Sequence, residues 1–332
     1  MIPDSAVNAS GQRPDAAFRC PGCGTREAEL YLPCPADTRW DLMRCRNCEL
    51  LSLRQMPAPD ELASFYQENY YSKDDASRFP KPLEALVRGF RGSRARAVRK
   101  WLPPPPGRVL DVGCGRGVFL VHMRRYGYDV HGTQLSHTAA EVIRQRSGID
   151  VFEGDLRDDR LPYPPETFDL VTVSNVLEHV PDPAGTLRVV HRVLRKGGWL
   201  LVETPNAAAW TARWGQQHWF HWDLPRHVVL FTPATVTAML EREGFEVVAS
   251  SFLSWEFGPF GAVQTVLNQA LPGPRNLVFD VLQRTIPLAR YPCLLAVHLA
   301  VAALLTVPAL AYTLLAALCR RGDIMRFRCR RR

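Results

Sequence analysis

Between Arg108 and Glu203 short apolar runs alternate with amphipathic stretches, and few folds accept that rhythm. RVLDV (108–112) precedes VFLVHMRRY, and YDVHGT (128–133) precedes HTAAEVIRQR; after IDVFEG, FDLVTVS (168–174) precedes AGTLRVVHRVLR, and GWLLVE (198–203) closes the series. Short runs of this kind read as strands buried on both faces, and the helical pattern between them supplies the crossover that parallel pairing needs. The segment therefore predicts an α/β fold, a doubly wound and mainly parallel sheet covered by helices on both sides. Helix-start signals recur at Thr232-Pro233 before ATVTAMLEREG, and a strand-like FEVVASSFL (245–253) follows.

The flanks divide the rest of the 332 residues. Residues 1–18 are polar and aperiodic and predict a mobile N-terminus, while 19–58 form a turn-rich block containing cysteine. Helical spacing fills 59–106, including Glu84–Trp101, and stops at Pro103–Pro106. The α/β core is expected over 107–253, an apolar helical insert over 254–322, and a final strand with a basic tail over 323–332. An apolar content of 46% rules out a disordered chain or a collagen. The start of the sequence lacks the apolar stretch of a signal peptide, so the nine cysteines are expected to stay reduced in the cytosol and to serve metal binding or packing.

Asp111-Val-Gly-Cys-Gly-Arg-Gly117 lies directly after an apolar strand and before a helix. Glycines at 113, 115 and 117 let the backbone turn sharply and approach a ligand at a helix N-terminus. The spacing is GxGxG rather than the GxGxxG of dinucleotide sites, and the preceding acid favours a ligand with an amino group. Together with GDL (154–156), FDLVTVSNVLEHVPDP (168–183) and RVLRKGGWLLVETPN (192–206), this loop resembles the class I S-adenosylmethionine-dependent methyltransferases, whose Rossmann-like fold carries four such motifs in order.

By that resemblance Asp111 would accept from the methionine amino group, and the backbone of Gly113, Cys114, Gly115 and Gly117 would wrap the amino-acid tail. Asp155 and Leu156 would contact the adenine, with Leu135 and Asn175 in the same cofactor-binding set. The family usually places an acid at the end of the second strand for the ribose hydroxyls. Gln134 stands there, so one hydroxyl is expected to be accepted by the amide oxygen and ribose binding to be weaker.

Cys20-Pro-Gly-Cys23 and Cys45-Arg-Asn-Cys48 are two CxxC knuckles 21 residues apart, a spacing that supplies a closed tetrahedral site for structural Zn²⁺. The segment resembles the zinc ribbon found ahead of some methyltransferases of bacterial saccharide and secondary-metabolite pathways, including the aromatic FYQENYYS (65–72) that follows it. Cys34, Cys114, Cys293, Cys319 and Cys329 read as packing residues. Methyl transfer needs an aligned nucleophile and a place for its proton. Two candidate catalytic bases emerge, His227 in HWFHWDLPRHVVLF (218–231) and His179 after the fourth strand. VLEHVPDP also resembles the ubiquinone-biosynthesis O-methyltransferases; some relatives bind a divalent metal through Glu-His and an acid three places earlier, where this chain has Asn175.

From Tyr291 to Cys319 there is no formal charge over 29 residues, long enough to cross a bilayer. DIMRFRCRR (323–331) alternates like a strand, and the family closes its sheet with an antiparallel pair, so a crossing would strand that last element on the wrong side. Pro308 divides the run into 17 and 11 residues. A kinked re-entrant or interfacial hairpin is therefore predicted, with Val263–Leu288 along the membrane surface, unless the insert packs as a buried cap or dimer interface.

Of the net charge of +8, residues 320–332 hold +6, and six further basic residues lie between Arg88 and Lys100. Basic charge next to an apolar run suits a bilayer better than nucleic acid. The sequence thus predicts a methyltransferase at the cytoplasmic face of the membrane, acting on a hydroxyl of a lipid-linked, saccharide or polyprenyl-type acceptor. The alternatives are a cytoplasmic protein, an RNA base methyltransferase, which the absence of an Asn/Asp-Pro-Pro-Tyr pattern disfavours, and a non-catalytic cofactor-binding scaffold.

Overall fold

The computed structural model describes residues 18–34, 37–65, 80–157 and 160–332. The expected mobile N-terminus, apart from Phe18, and the aromatic stretch beyond Phe65 lie outside the described residues. The first elements are β1 (Ala28–Leu32), β2 (Leu42–Cys45), β3 (Leu51–Leu53), α1 (Pro59–Ser64) and α2 (Lys81–Arg99). Then come β4 (Arg108–Val112), α3 (Val118–Arg125), β5 (Asp129–Gln134), α4 (His137–Ser147), β6 (Asp150–Glu153), β7 (Phe168–Ser174), α5 (Pro183–Val193) and β8 (Leu194–Pro205). The chain continues through α6 (Trp210–Gly215), β9 (Val229–Leu230), α7 (Pro233–Arg242), β10 (Phe245–Ser251), α8 (Gly258–Ala270), α9 (Leu277–Leu282), α10 (Pro292–Leu318) and β11 (Ile324–Arg331).

Seven strands form the main sheet in the order β10-β11-β8-β7-β4-β5-β6. The five from β8 to β6 are parallel, and β11 enters antiparallel between β8 and β10. Val109, Leu110, Leu170, Val171, Val173, Leu200 and Val202 are all fully buried, as strands covered on both faces require. One face packs on α2, α3 and α4 through Val98, Phe119, Met123 and Ile143; the other packs on α5 and α7 through Leu187, Val190, Val236 and Leu240. The Thr232-Pro233 start signal is realised as a capping box, the Thr232 hydroxyl accepting from Thr235 N. The order reverses at β4, which separates β5 from β7 and opens a crevice at their carboxyl ends.

The second sheet, β1-β2-β3-β9, joins the cysteine block to a strand 176 positions beyond the end of β3. Val228, Val229 and Phe231 share one buried cluster with Phe18, Cys20, Trp40, Cys45, Leu50 and Leu53.

The hairpin expected at Pro308 is not formed. α10 runs unbroken through Pro308 for 27 residues, about 40 Å at ~1.5 Å per residue. Leu295 and His298 before the proline and Ala309, Thr313 and Ala316 after it are buried on one side of the helix, with the half-buried Ala302 and Leu305 between them. Leu295 and Ala309 belong to the cluster that α10 builds with α8 and α9, and Ala302 and Leu305 pack against it. Pro308 lies on the exposed side, as does Leu304, whose carbonyl loses its helical donor to the proline. Nor is 263–288 one surface helix: it breaks into α8, buried at Gly261, Ala262, Val263, Gln264 and Thr265, and the short α9.

Candidate active site

The glycine loop leaves β4 with three left-handed residues, Gly113 at φ 61°, Gly115 at 57° and Gly117 at 68°. A Cβ on Gly113 would meet Val176 Cγ2 at 2.7 Å and one on Gly117 would meet Ile143 Cγ2 at 3.1 Å, whereas one on Gly115 would have no protein atom within 4 Å. Gly113 and Gly117 serve packing, and Gly115 faces open space. That space is a cavity of about 390 Å³ at the crevice, lined by the loop, by Asp111, Gln134, Asp155 and Asn175, and by Glu178, His179 and His227.

Asp111 is buried, and its Oδ1 accepts from the Thr172 hydroxyl at 2.5 Å across the parallel pair. Burial holds its carboxyl above the usual range, against the opposing pull of Arg94. A ligand ammonium placed here would supply the missing positive charge. Cys114 N donates to Thr133 O at 3.0 Å while its thiol is wedged against Gly132, where a Cβ would lie 2.7 Å from Sγ.

The Gln134 amide is committed to the protein. Its Oε1 accepts from Leu135 N at 2.9 Å and its Nε2 donates to Gly115 O at 3.4 Å, so a ribose hydroxyl would have to share that oxygen. Leu135 is 66% exposed at the rim, and Leu156 is buried beneath the cavity. Asp155 is paired with Arg157 at 3.1 Å. Asn175 takes φ 52°, with its N–H donating to Glu203 O at 2.7 Å.

The two histidines chosen from sequence meet in space with ring centroids 4.6 Å apart. His179 Nδ1 faces Arg226 O at 3.0 Å and His227 Nδ1 faces His221 O at 2.8 Å. A carbonyl only accepts, so each Nδ1 carries the proton and each Nε2 keeps a lone pair. Burial lowers the pKa of both, that of His179 to about 3. One Glu178 oxygen lies with a nitrogen of each ring in a group whose members are all within 4.8 Å of one another. Burial raises the Glu178 carboxyl to about 8; its Oε2 accepts from Thr204 at 3.0 Å, and its Oε1 has no hydrogen-bond partner.

Several residues were not singled out from sequence. Glu203, buried at the end of β8, accepts from Arg326 Nε at 2.6 Å and from Arg94 at 3.3 Å. Burial pushes its carboxyl up, but the two guanidiniums outweigh this and hold it below the usual range. Arg116 of the glycine loop pairs with Glu84 of α2 at 3.3 Å, and Arg91 of α2 with Glu256 at 3.7 Å, so α2 closes one side of the cavity. Phe257, Asn276, Phe279 and Asp280 wall it from the apolar insert. An acid ending an apolar strand, as in LLVETP, was the available signal for Glu203; the insert residues have no such signature.

The four expected metal ligands Cys20, Cys23, Cys45 and Cys48 converge, every Sγ within 4.8 Å of the others. Cys20–Cys48 and Cys23–Cys45 are each 3.5 Å apart, close to the ~3.8 Å edge of a tetrahedron with ~2.3 Å zinc–sulfur bonds. Gly22 N donates to Cys20 Sγ at 3.4 Å and Cys48 N to Cys45 Sγ at 3.5 Å, which would stabilise thiolate. The donor set and its size fit Zn²⁺.

Residues 87–250 match the family described as "Methyltransferase domain". A ubiquinone biosynthesis O-methyltransferase of Thiobacillus denitrificans is 36% identical over 153 residues, 45% of this chain and 64% of that protein. Its counterpart in Xanthomonas campestris pv. campestris is 36% identical over 136 residues, 40% of this chain and 55% of that protein. The match thus spans well under two thirds of the second relative and just under two thirds of the first. A solved SAM-dependent methyltransferase of Thermotoga maritima, described as a possible histamine N-methyltransferase, is 27% identical with a TM-score of 0.40, covering 50% of this chain and 75% of that one. By its ordered motifs, its sheet order and its family match, the segment 87–250 is a class I S-adenosylmethionine-dependent methyltransferase domain.

Proposed function

We propose that the chain is an S-adenosylmethionine-dependent O-methyltransferase whose acceptor is a hydroxyl on a lipid-linked or polyprenyl-type molecule at the cytoplasmic membrane surface. The observation that carries the reading is the composition of the cavity: the glycine loop on one side, the His179–His227 pair and residues of the apolar insert on the other. The ubiquinone-pathway relatives favour the same acceptor class.

Asp111 would hold the methionine ammonium, Gly113 to Gly117 the amino-acid tail, and Asp155 with Leu156 the adenine. Bound there, the cofactor supplies an electrophilic methyl group on a sulfonium. His227 would accept the proton of the acceptor's hydroxyl at Nε2, the nitrogen left free by its Nδ1 bond to His221 O, leaving that oxygen nucleophilic. Asp223 Oδ2, 3.8 Å from that nitrogen, stabilises the imidazolium that forms. His179 is the second candidate base. Glu178, held protonated at neutral pH, adds no negative charge beside the pair. Zinc at the four cysteines has no open position and is assigned no chemistry.

The outer side of α10 carries Leu304, Val307 and Leu318, 73–82% exposed, and both its ends meet arginine, Arg290 and Arg320 with Arg321. A helix buried along one face and apolar along the other would lie in one leaflet rather than cross it, which keeps β11 in the sheet. The test is transfer of label from methyl-labelled cofactor to a bacterial lipid extract. His227→Ala should lower kcat by roughly 10²- to 10⁴-fold with cofactor affinity retained. A loss under about threefold would remove His227 as the base, and no labelled lipid from the unsubstituted protein would remove the acceptor class.

A further inference from the structure

The two cavity histidines depend on a backbone that the cysteine block holds. His179 Nδ1 bonds Arg226 O, so its tautomer is set by the carbonyl one residue before His227. Val228, the residue after His227, is stitched on both sides: its N–H donates to Glu178 O at 2.8 Å and its carbonyl accepts from Leu53 N at 3.0 Å. Leu53 belongs to β3, and the pairing continues as Ser52↔Val229 and Leu51↔Leu230. β3 in turn pairs with β2, which ends at Cys45, and Cys45 N donates to Leu50 O at 3.0 Å to close the second knuckle.

Side chains repeat the connection. Leu50 and Leu53 are buried with Cys20, Cys45, Val228 and Val229. A Cβ on Gly22 of the first knuckle would lie 2.9 Å from Leu50 Cδ2. The glycine loop is anchored elsewhere, by Cys114 N to Thr133 O at 3.0 Å and Gly113 N to the Thr133 hydroxyl at 3.2 Å. Among the described residues, none before Glu84 lines the cavity.

We infer that the cysteine block is a positioning element for the acceptor half of the cavity: metal in the Cys20, Cys23, Cys45 and Cys48 cluster holds β3, β3 holds β9, and β9 fixes the main chain at 226–228, which carries both the carbonyl that sets the His179 ring proton and the backbone of His227 itself. The cofactor half does not depend on it. The inference rests on the methyltransferase reading only in naming the two halves. It departs from a ribbon that serves as a separate module, since a module joined only by its chain would leave the histidines unchanged when the metal is removed.

The experiment uses the full chain labelled with ¹⁵N-histidine, its His179 and His227 ring signals assigned with the His179→Gln and His227→Gln variants. Long-range ¹H–¹⁵N spectra are recorded zinc-loaded, after chelation, and after zinc is restored, with calorimetry of S-adenosylhomocysteine in each state. Chelation should replace the Nδ1–H signature of His179 by averaged tautomer signals and shift the ring signals of His227, with amide exchange at Leu53 and Val228, followed by mass spectrometry, rising at least tenfold. Cofactor-product affinity should change less than threefold, and zinc should restore the ring signals.

Leu53→Pro, which deletes the donor to Val228 O but spares the cysteines, should give the same ring spectra with zinc still near one per chain. Ring signals unchanged without metal would overturn the inference. So would a loss of S-adenosylhomocysteine affinity in step with them, because the block would then be a general stabiliser. Neither readout needs turnover. If the zinc-loaded protein bound no S-adenosylhomocysteine, the methyltransferase reading would fail while the ring spectra still tested the coupling.

Discussion

Replacing Gly115 by valine separates what the glycine loop does for the fold from what it does for the ligand. Its Cβ position has no neighbouring protein atom within 4 Å, so a side chain starts into open space in the ligand-free protein. The cost to stability is the left-handed backbone at φ 57°, about 1–2 kcal/mol for an alanine and somewhat more for a β-branched residue. At ~2–4 °C per kcal/mol for a domain of this size, Gly115→Ala should lower Tm by about 2–8 °C. Gly113→Ala adds a contact of 2.7 Å with Val176 Cγ2 to the same backbone strain and should fall further, by about another 1–3 kcal/mol. The ranking reverses for the ligand. The valine side chain occupies the space assigned to the methionine tail, and S-adenosylhomocysteine affinity should drop at least 100-fold, about 2.7 kcal/mol. Scanning fluorimetry and calorimetry read the two quantities. Binding by Gly115→Val within threefold of the unsubstituted protein would refute the placement of the ligand, and equal thermal losses for the two alanine variants would refute the packing argument.

One zinc per chain should copurify, and Cys23→Ser or Cys45→Ser should lower metal content and open residues 18–58 to protease; a zinc-free, protease-resistant block would contradict this. Burial raises the folded-state pKa of Glu178 from the usual carboxylate value of 4.5 to about 8, so its contribution to stability is complete below about pH 4.5 and is lost as pH rises towards 8. Glu178→Gln should therefore gain on the unsubstituted protein as denaturation midpoints are followed from pH 5 to pH 9, and a constant difference would show that the carboxyl titrates normally. Leu304→Asp with Val307→Asp, both on exposed positions, should abolish cosedimentation with anionic vesicles while moving Tm by less than about 2 °C. Vesicle binding that survives the pair would exclude α10 as the membrane face.

The main sheet was legible because its signal is local. An apolar run of five residues and a helical period of 3.6 can each be read within a dozen positions. β11 was legible for the same reason despite its arginines, since Met325, Phe327 and Cys329 alternate inward whatever stands between them. The four cysteines and the His179–His227 pair were legible as chemistry, but not as geometry. What sequence concealed is pairing at a distance. Glu203 finds Arg326 across 123 positions, and β3 finds β9 through backbone bonds and apolar contacts that name no partner in the sequence. Pro308 was misread because the usual cost of an internal proline was applied without the stripe of contacts on both sides that carries α10 past it.

The position of β11 imposes an order of assembly. It is last among the seven strands in the chain yet sits between β8 and β10, which are both made before it. Until it arrives, β8 presents an unpaired edge and β10 has no neighbour. Glu203 also lacks Arg326 in that interval, leaving a carboxylate at the end of β8 with only Arg94 to pair with. During vectorial synthesis α10 emerges ahead of β11, so the most apolar helix of the protein is exposed while the sheet is still open. Docking of α10 on α8 brings its end, through Asp323, whose backbone carbonyl accepts from Asn206 N at 2.8 Å, to the place where β11 can zip along β8. The helix that would meet a bilayer in the finished protein is thus also the one most in need of cover before it is finished.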